Sequence, residues 1–101
     1  MARFDVYRPK SKKSALVLDV QADLLSDLET RVIVPLRLCS PQRKKTMTRL
    51  LPIVQIDGSD YQLMTAQISA VPLSELSGPT ANLEDQRTTV IDAIDFLLQG
   101  F

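Results

Sequence analysis

Two short runs near the start of the chain, Ala15-Leu-Val-Leu-Asp-Val20 and Arg31-Val-Ile-Val-Pro-Leu36, are dominated by aliphatic and β-branched residues. Branching at Cβ restricts χ1 and fits a pleated, half-buried surface better than a helix. Each run is also too short for a helix and is bounded by turn formers, Gln21-Ala-Asp23 after the first and a proline inside the second. Such runs oblige the chain to build a sheet, and the second, the more continuous, reads as a central strand. The rest of the first three quarters agrees. Arg3 to Arg8 alternates Phe4 and Val6 with Asp5 and Tyr7 and reads as a strand closed by Pro9. Ile53 to Ile56 and Tyr61 to Met64 flank Asp57-Gly-Ser-Asp60, a hairpin signal because Asp-Gly tolerates positive φ. Ile68 to Val71 is a short strand, and Pro72 to Ala81, interrupted by Gly78-Pro79, reads as a loop or single-turn stretch.

Helical periodicity appears once. From Leu83 the apolar residues Val90, Ile91, Ile94, Leu97 and Leu98 fall on one stripe that must pack on the sheet. Asn82 reads as its N-cap, with Glu84 and Asp85 in the first turn complementing the dipole. Asp92, Asp95 and Gln99 take the polar side, Phe96 an edge, and Gly100 the C′ position. The expectation is one domain over residues 1–101, mainly β in the α+β sense, with antiparallel strands and one C-terminal helix.

The formal charge is zero but unevenly spread. Residues 1–50 hold 11 Lys+Arg and 5 Asp+Glu, 11 − 5 = +6, and residues 51–101 hold 1 and 7, 1 − 7 = −6. A basic and an acidic surface on one small body follow. The basic loops are Arg8 to Lys13 and Arg43 to Lys45. They lack interleaved aromatic residues, so a stacking platform for nucleic acid is not expected. No run approaches the roughly 18 apolar residues of a membrane span, the N-terminus lacks a signal core, and the lone Cys39 cannot form an intrachain disulfide. These features read as cytoplasmic.

The chemistry available is narrow. The chain has no histidine, which removes Ser-His and Cys-His nucleophile pairs and most zinc sites. Its three glycines lie far apart and form no phosphate loop. Asp19 reads as an acceptor for turn amides, and Asp92 and Asp95 as the solvent face of the helix. No catalytic residue, metal or cofactor is expected.

These pieces, taken in order, resemble the CcdB family, the toxins of bacterial CcdA/CcdB toxin–antitoxin pairs. The likeness rests on Val6-Tyr7, the stretch Leu16 to Leu25, Thr30 to Leu36, Pro52 to Ile56, Leu63-Met-Thr65, Ser69 to Pro72, the terminal helix and Gly100, and so covers nearly the whole chain. It implies a small SH3-like antiparallel barrel, shared with the MazF/Kid toxins. It also implies a homodimer without enzymatic activity that binds gyrase A, one of the two polypeptides of DNA gyrase, and traps the cleaved-DNA complex. Carried over, the gyrase-binding set is Leu24, Leu25, Asp92, Asp95, Gln99, Gly100 and Phe101. The family pattern ends Trp-Gly-Ile, whereas this chain ends Gln99-Gly100-Phe101. The second implied partner is a CcdA-like antitoxin with a disordered acidic tail, for which Arg8, Lys10, Lys12, Lys13, Arg43, Lys44 and Lys45 form the matching set. Two other readings share the fold. One is a MazF/Kid-like endoribonuclease, in which Thr30 and Arg31 would serve. The other is a CcdB-derived protein that keeps dimerisation and antitoxin binding alone.

Overall fold

The computed structural model describes residues 2–25, 27–39 and 49–100. The strands are β1 (Asp5–Pro9), β2 (Leu16–Asp19), β3 (Thr30–Leu38), β4 (Ile53–Ile56), β5 (Ser59–Leu63), β6 (Ser69–Pro72) and β7 (Leu76–Asn82), followed by one helix, α1 (Arg87–Gln99). All pairings are antiparallel and the order is β4-β5-β3-β2-β1-β7, with β6 also on β3. The sheet curls into a half-barrel capped by the helix, which agrees with the small α+β barrel expected from the sequence.

β3 is the central strand, as its residues indicated, but it does not stop at its proline. Its first part, Thr30 to Ile33, pairs with β6 and its last part, Leu36 to Leu38, with β5. Pro35 falls at the handover between those two partners, where a missing N–H costs no ladder bond, and its carbonyl accepts the Met64 N–H at 2.9 Å. The β4–β5 hairpin turns on Asp57 and Gly58 with φ of +52° and +80°, the two positive values of a type I′ turn.

The segment read as a loop from Pro72 to Ala81 is instead mostly strand. β7 pairs with β1 from Asp5–Asn82 to Pro9–Leu76, with a register shift between Val6 and Arg8. That irregularity, with Gly78-Pro79 on an outer strand, is where breakers are tolerated. β1 is correspondingly buried on both faces. Val6 joins the main core with Leu18, Val34, Val54, Leu63 and Val90, while Tyr7 joins Val17, Ile33 and Leu76 on the other side. Each fully buried aliphatic residue here contributes about 1.5–3 kcal/mol.

The helix begins later than its N-cap signal suggested. Asn82 Oδ1 does accept the Glu84 N–H at 2.8 Å, but it caps a 3₁₀ turn, Glu84–Gln86, that precedes α1. Gln86 reaches from this turn to β4: its Nε2 donates to the Gln55 carbonyl (2.8 Å) and its Oε1 accepts the Gln55 N–H (2.9 Å). Gly100 adopts φ +79° and its N–H returns to the Phe96 carbonyl, closing the helix. The buried face is set by Val90 and Ala93. Leu98, placed by the periodicity on the packing stripe, is 73% exposed instead, because it lies on the flank of that face.

Candidate interaction surface

The described residues form no group of three or more His, Cys, Asp or Glu that could hold a metal ion, and no helix among them is long and apolar enough to cross a membrane. The surface features that stand out are apolar. Leu24 is 96% exposed and Leu25 half-exposed, both on a 3₁₀ turn, Asp23–Leu25, that buries none of its residues.

That turn is tightly held from beneath. The Gln21 carboxamide donates to the Leu25 carbonyl at 2.8 Å and accepts the Val32 N–H at 3.1 Å. The Gln21 N–H donates to Asp19 Oδ1 at 3.0 Å. Asp19 Oδ2 in turn accepts Arg31 Nε at 2.9 Å and lies 2.6 Å from Nη2. Both members of this ion pair are fully buried, and Arg31 Nη1 and Nη2 make no hydrogen bond. The acceptor role expected of Asp19 is therefore present, but its main partner is an arginine that the sequence reading had not paired with it. Burial pushes the Asp19 carboxyl above the usual carboxylate range, against the opposing pull of Arg31 and the Gln21 amide.

From the other side Arg3 holds the turn. Its N–H donates to Asp23 Oδ1 at 2.7 Å and its Nε to the Val20 carbonyl at 3.1 Å. The next residue, Phe4, takes a positive φ of 71° while its N–H and C=O bond to Asp19 and Leu83. A non-glycine residue in this region costs about 1–2 kcal/mol, which those bonds and its burial offset. Arg3 and Phe4 then form one wall of an open groove of about 520 Å³ whose other wall is α1, with Ile91, Asp92, Ile94 and Asp95. Arg3 thus bonds Asp23 of the turn and lines the same groove as Asp92 and Asp95. Gln99 and Gly100 are exposed at the helix end beside Leu98. Phe101 lies outside the described residues.

The basic residues gather elsewhere. Arg8 Nη1 donates to the Lys13 carbonyl at 3.0 Å, so it braces its own loop. The Lys10 N–H donates to the Glu75 carbonyl and the Ser11 N–H to Glu75 Oε1, both at 2.7 Å. The Ser11 side chain, with the Ser11 N–H, holds the Glu75 carboxyl below its usual range. Lys10, Lys12 and Lys13 are left exposed on this pinned loop. Lys12 lines a second open groove of about 410 Å³ with Arg37, Leu38, Met64 and Gln67. The two grooves share no residue. Arg43, Lys44 and Lys45 lie outside the described residues. The sequence reading missed Arg37 and Leu38 here. Leu38 is 60% exposed at the end of a strand that is buried or half-buried from Arg31 to Leu36, a difference the residue pattern alone does not carry.

A family model described as CcdB protein matches residues 3–100. The chain belongs to the CcdB family. It is thereby the toxin component of a toxin–antitoxin pair, and the match spans both grooves, the turn and the helix.

Proposed function

We propose that this CcdB-family toxin acts by binding rather than by turnover, as a homodimer that engages gyrase A through the Leu24–Leu25 turn and the end of α1. The observation that carries the reading is the 96% exposed Leu24 on a backbone fixed by buried side chains, joined through Arg3 to a groove holding Asp92 and Asp95. A large apolar side chain in water, on a turn with no freedom to tuck it away, is the preorganised anchor of a protein contact. Leu98, Gln99 and Gly100 extend the patch, and Phe101 supplies an aromatic ring in the place of the family's terminal Ile. Gln99, where the family carries Trp, offers an amide in place of a stacking face.

The second groove fits the antitoxin. An apolar floor of Leu38 and Met64 under Lys12 and Arg37 suits a tail that is acidic and amphipathic, and Arg8, Lys10 and Lys13 enlarge the basic rim. Charges at such a rim act mainly on association rate. The endoribonuclease reading is disfavoured by one observation. Arg31, on which it would rest, is fully buried and neutralised by Asp19, out of reach of a nucleic acid.

The test is to replace Leu24 and Leu25 together by Ser. Both side chains are exposed, so stability should change by no more than about 0.5 kcal/mol, while affinity for purified gyrase A falls at least about tenfold. Unchanged affinity in a folded double variant would overturn the assignment. Light scattering at micromolar concentration that finds only an 11.3 kDa species would remove the homodimer.

A further inference from the structure

Gln21 is a buried polar residue outside the exposed patch, yet its carboxamide is spent on the turn that carries the patch and on the strand behind it. We propose that Gln21 is a positioning residue for the Leu24–Leu25 contact: its carboxamide, held by the Val32 N–H, grips the Leu25 carbonyl and fixes the direction in which the two leucines project. The inference rests on the functional reading above.

Three features argue for it. First, the clamp is asymmetric in sequence but closed in space. Oε1 is anchored to the central strand at Val32, and Nε2 reaches across to Leu25. The carboxamide therefore transmits the position of β3 to the turn through one rigid planar group. Second, the Leu25 carbonyl is shared, since it also accepts the Leu28 N–H at 3.1 Å, while the Leu25 N–H donates to the Ala22 carbonyl at 2.9 Å. Losing the Gln21 donor loosens both local bonds around the same residue. Third, the backbone of Gln21 is itself fixed through its N–H to Asp19, the carboxylate of the buried ion pair. An arginine, an aspartate and a glutamine are thus buried in a row directly behind a turn that buries nothing. Buried polar groups in such a row add little net stability but define a geometry. A rigid turn meets its partner without the entropy loss that a mobile one would suffer, and that difference appears in dissociation rate.

The experiment uses Gln21→Glu at a pH where the new carboxyl is ionised, so that an oxygen can still accept the Val32 N–H but nothing donates to the Leu25 carbonyl. Amide hydrogen exchange should accelerate at least about tenfold at Leu25 and Leu28 and stay within about threefold of the parent at Val32. Dissociation from gyrase A should quicken at least about fivefold with the association rate unchanged. Combined with Leu24→Ser and Leu25→Ser, the same substitution should change affinity less than about twofold, because the groups it positions are gone. Parent-like exchange at Leu25 and Leu28 overturns the proposal, as does an equal loss of affinity in both backgrounds, which makes Gln21 a general structural residue. If the leucine pair proves irrelevant to gyrase A, the functional reading falls by its own test, and the exchange measurement still decides whether Gln21 fixes the turn. Should Gln21→Glu fail to fold, Gln21→Met, similar in size and without a donor, is judged by the Leu25, Leu28 and dissociation criteria.

Discussion

Replacing Asp19 by Asn should be among the most damaging single-atom-scale changes this fold can undergo. The side chain keeps its shape and nearly its volume, so no cavity opens. The charge, however, is the sole counter-charge of Arg31 found within ion-pair distance among the described residues, at 2.6 Å from Nη2 and 2.9 Å from Nε. Arg31 is fully buried and no protein acceptor among the described residues bonds its Nη1, so no second protein partner compensates. Uncovering one member of a buried pair costs about 3–5 kcal/mol. A domain of this length has about 5–15 kcal/mol in total, and each kcal/mol moves the midpoint by about 4–8 °C. Thermal unfolding followed by circular dichroism at fixed protein concentration should therefore show a loss of at least about 12 °C. Adding Arg31→Met to Asp19→Asn removes both charges and should recover most of it, since the expense lies in an unpaired charge and not in the pair itself. Arg31→Met alone leaves the Asp19 carboxyl, whose pKa burial already raises, without its counter-charge. A raised folded-state pKa gives stability that is present at low pH and lost as pH rises through it, so the deficit of this variant should grow from acid toward neutral pH. A drop below about 4 °C for Asp19→Asn, with the double variant no better than the sum of its parts, would refute the reasoning.

Other expectations are simpler to read. Leu63→Ala, at a fully buried position, should cost about 2–5 kcal/mol in denaturant unfolding, whereas Leu98→Ala, mostly exposed, should cost under about 0.5. Gly58→Ala meets no neighbouring atom but must keep φ near +80°, so its cost of about 1–2 kcal/mol would be purely conformational; an unchanged midpoint would show that the turn had switched type. Burial would push the Asp5 carboxyl upward, but bonds from the Asn82 amide, the Ala2 N–H and the Tyr7 hydroxyl outweigh it and hold the pKa below 3.8. Its contribution to stability is thus present above that value and lost as pH falls through the lowered one. Asp5→Asn should flatten the acid limb of the stability profile, and an acid limb of parental steepness would assign that limb to other carboxylates.

What could be read from the residues followed the range over which the physics acts. β3, the β4–β5 hairpin and the Gly100 cap announce themselves locally, through Cβ branching, an Asp-Gly pair and a glycine behind an apolar stripe. β7 did not, because its partner is β1, more than sixty positions away, and its local signals, Gly78 and Pro79, are breakers that only an outer strand accommodates. Asp19 and Arg31 were each weighed alone. Nothing in a one-dimensional pattern pairs residues on two strands until the β2–β3 register is known. Leu98 was assigned to the core because periodicity gives the direction of a side chain and not the extent of the sheet beneath it. The Leu24–Leu25 turn was legible for the opposite reason, since two leucines among polar turn residues have no local explanation, whereas the groove partners Arg3 and Phe4 came to light only with the fold.

The contact between Gln86 and Gln55 has a further consequence. β4 and β7 are the two ends of the strand order, and Gln86 stands just beyond the end of β7. Its carboxamide occupies the outward N–H and C=O of Gln55 in the manner of a neighbouring strand, so a single side chain sews up the seam that the backbone leaves open. An unsewn strand carrying Ile53, Val54 and Ile56 is a template onto which another copy can stack without limit. Strand addition at this edge meets one amide that already competes for the same two backbone groups a fibril would use.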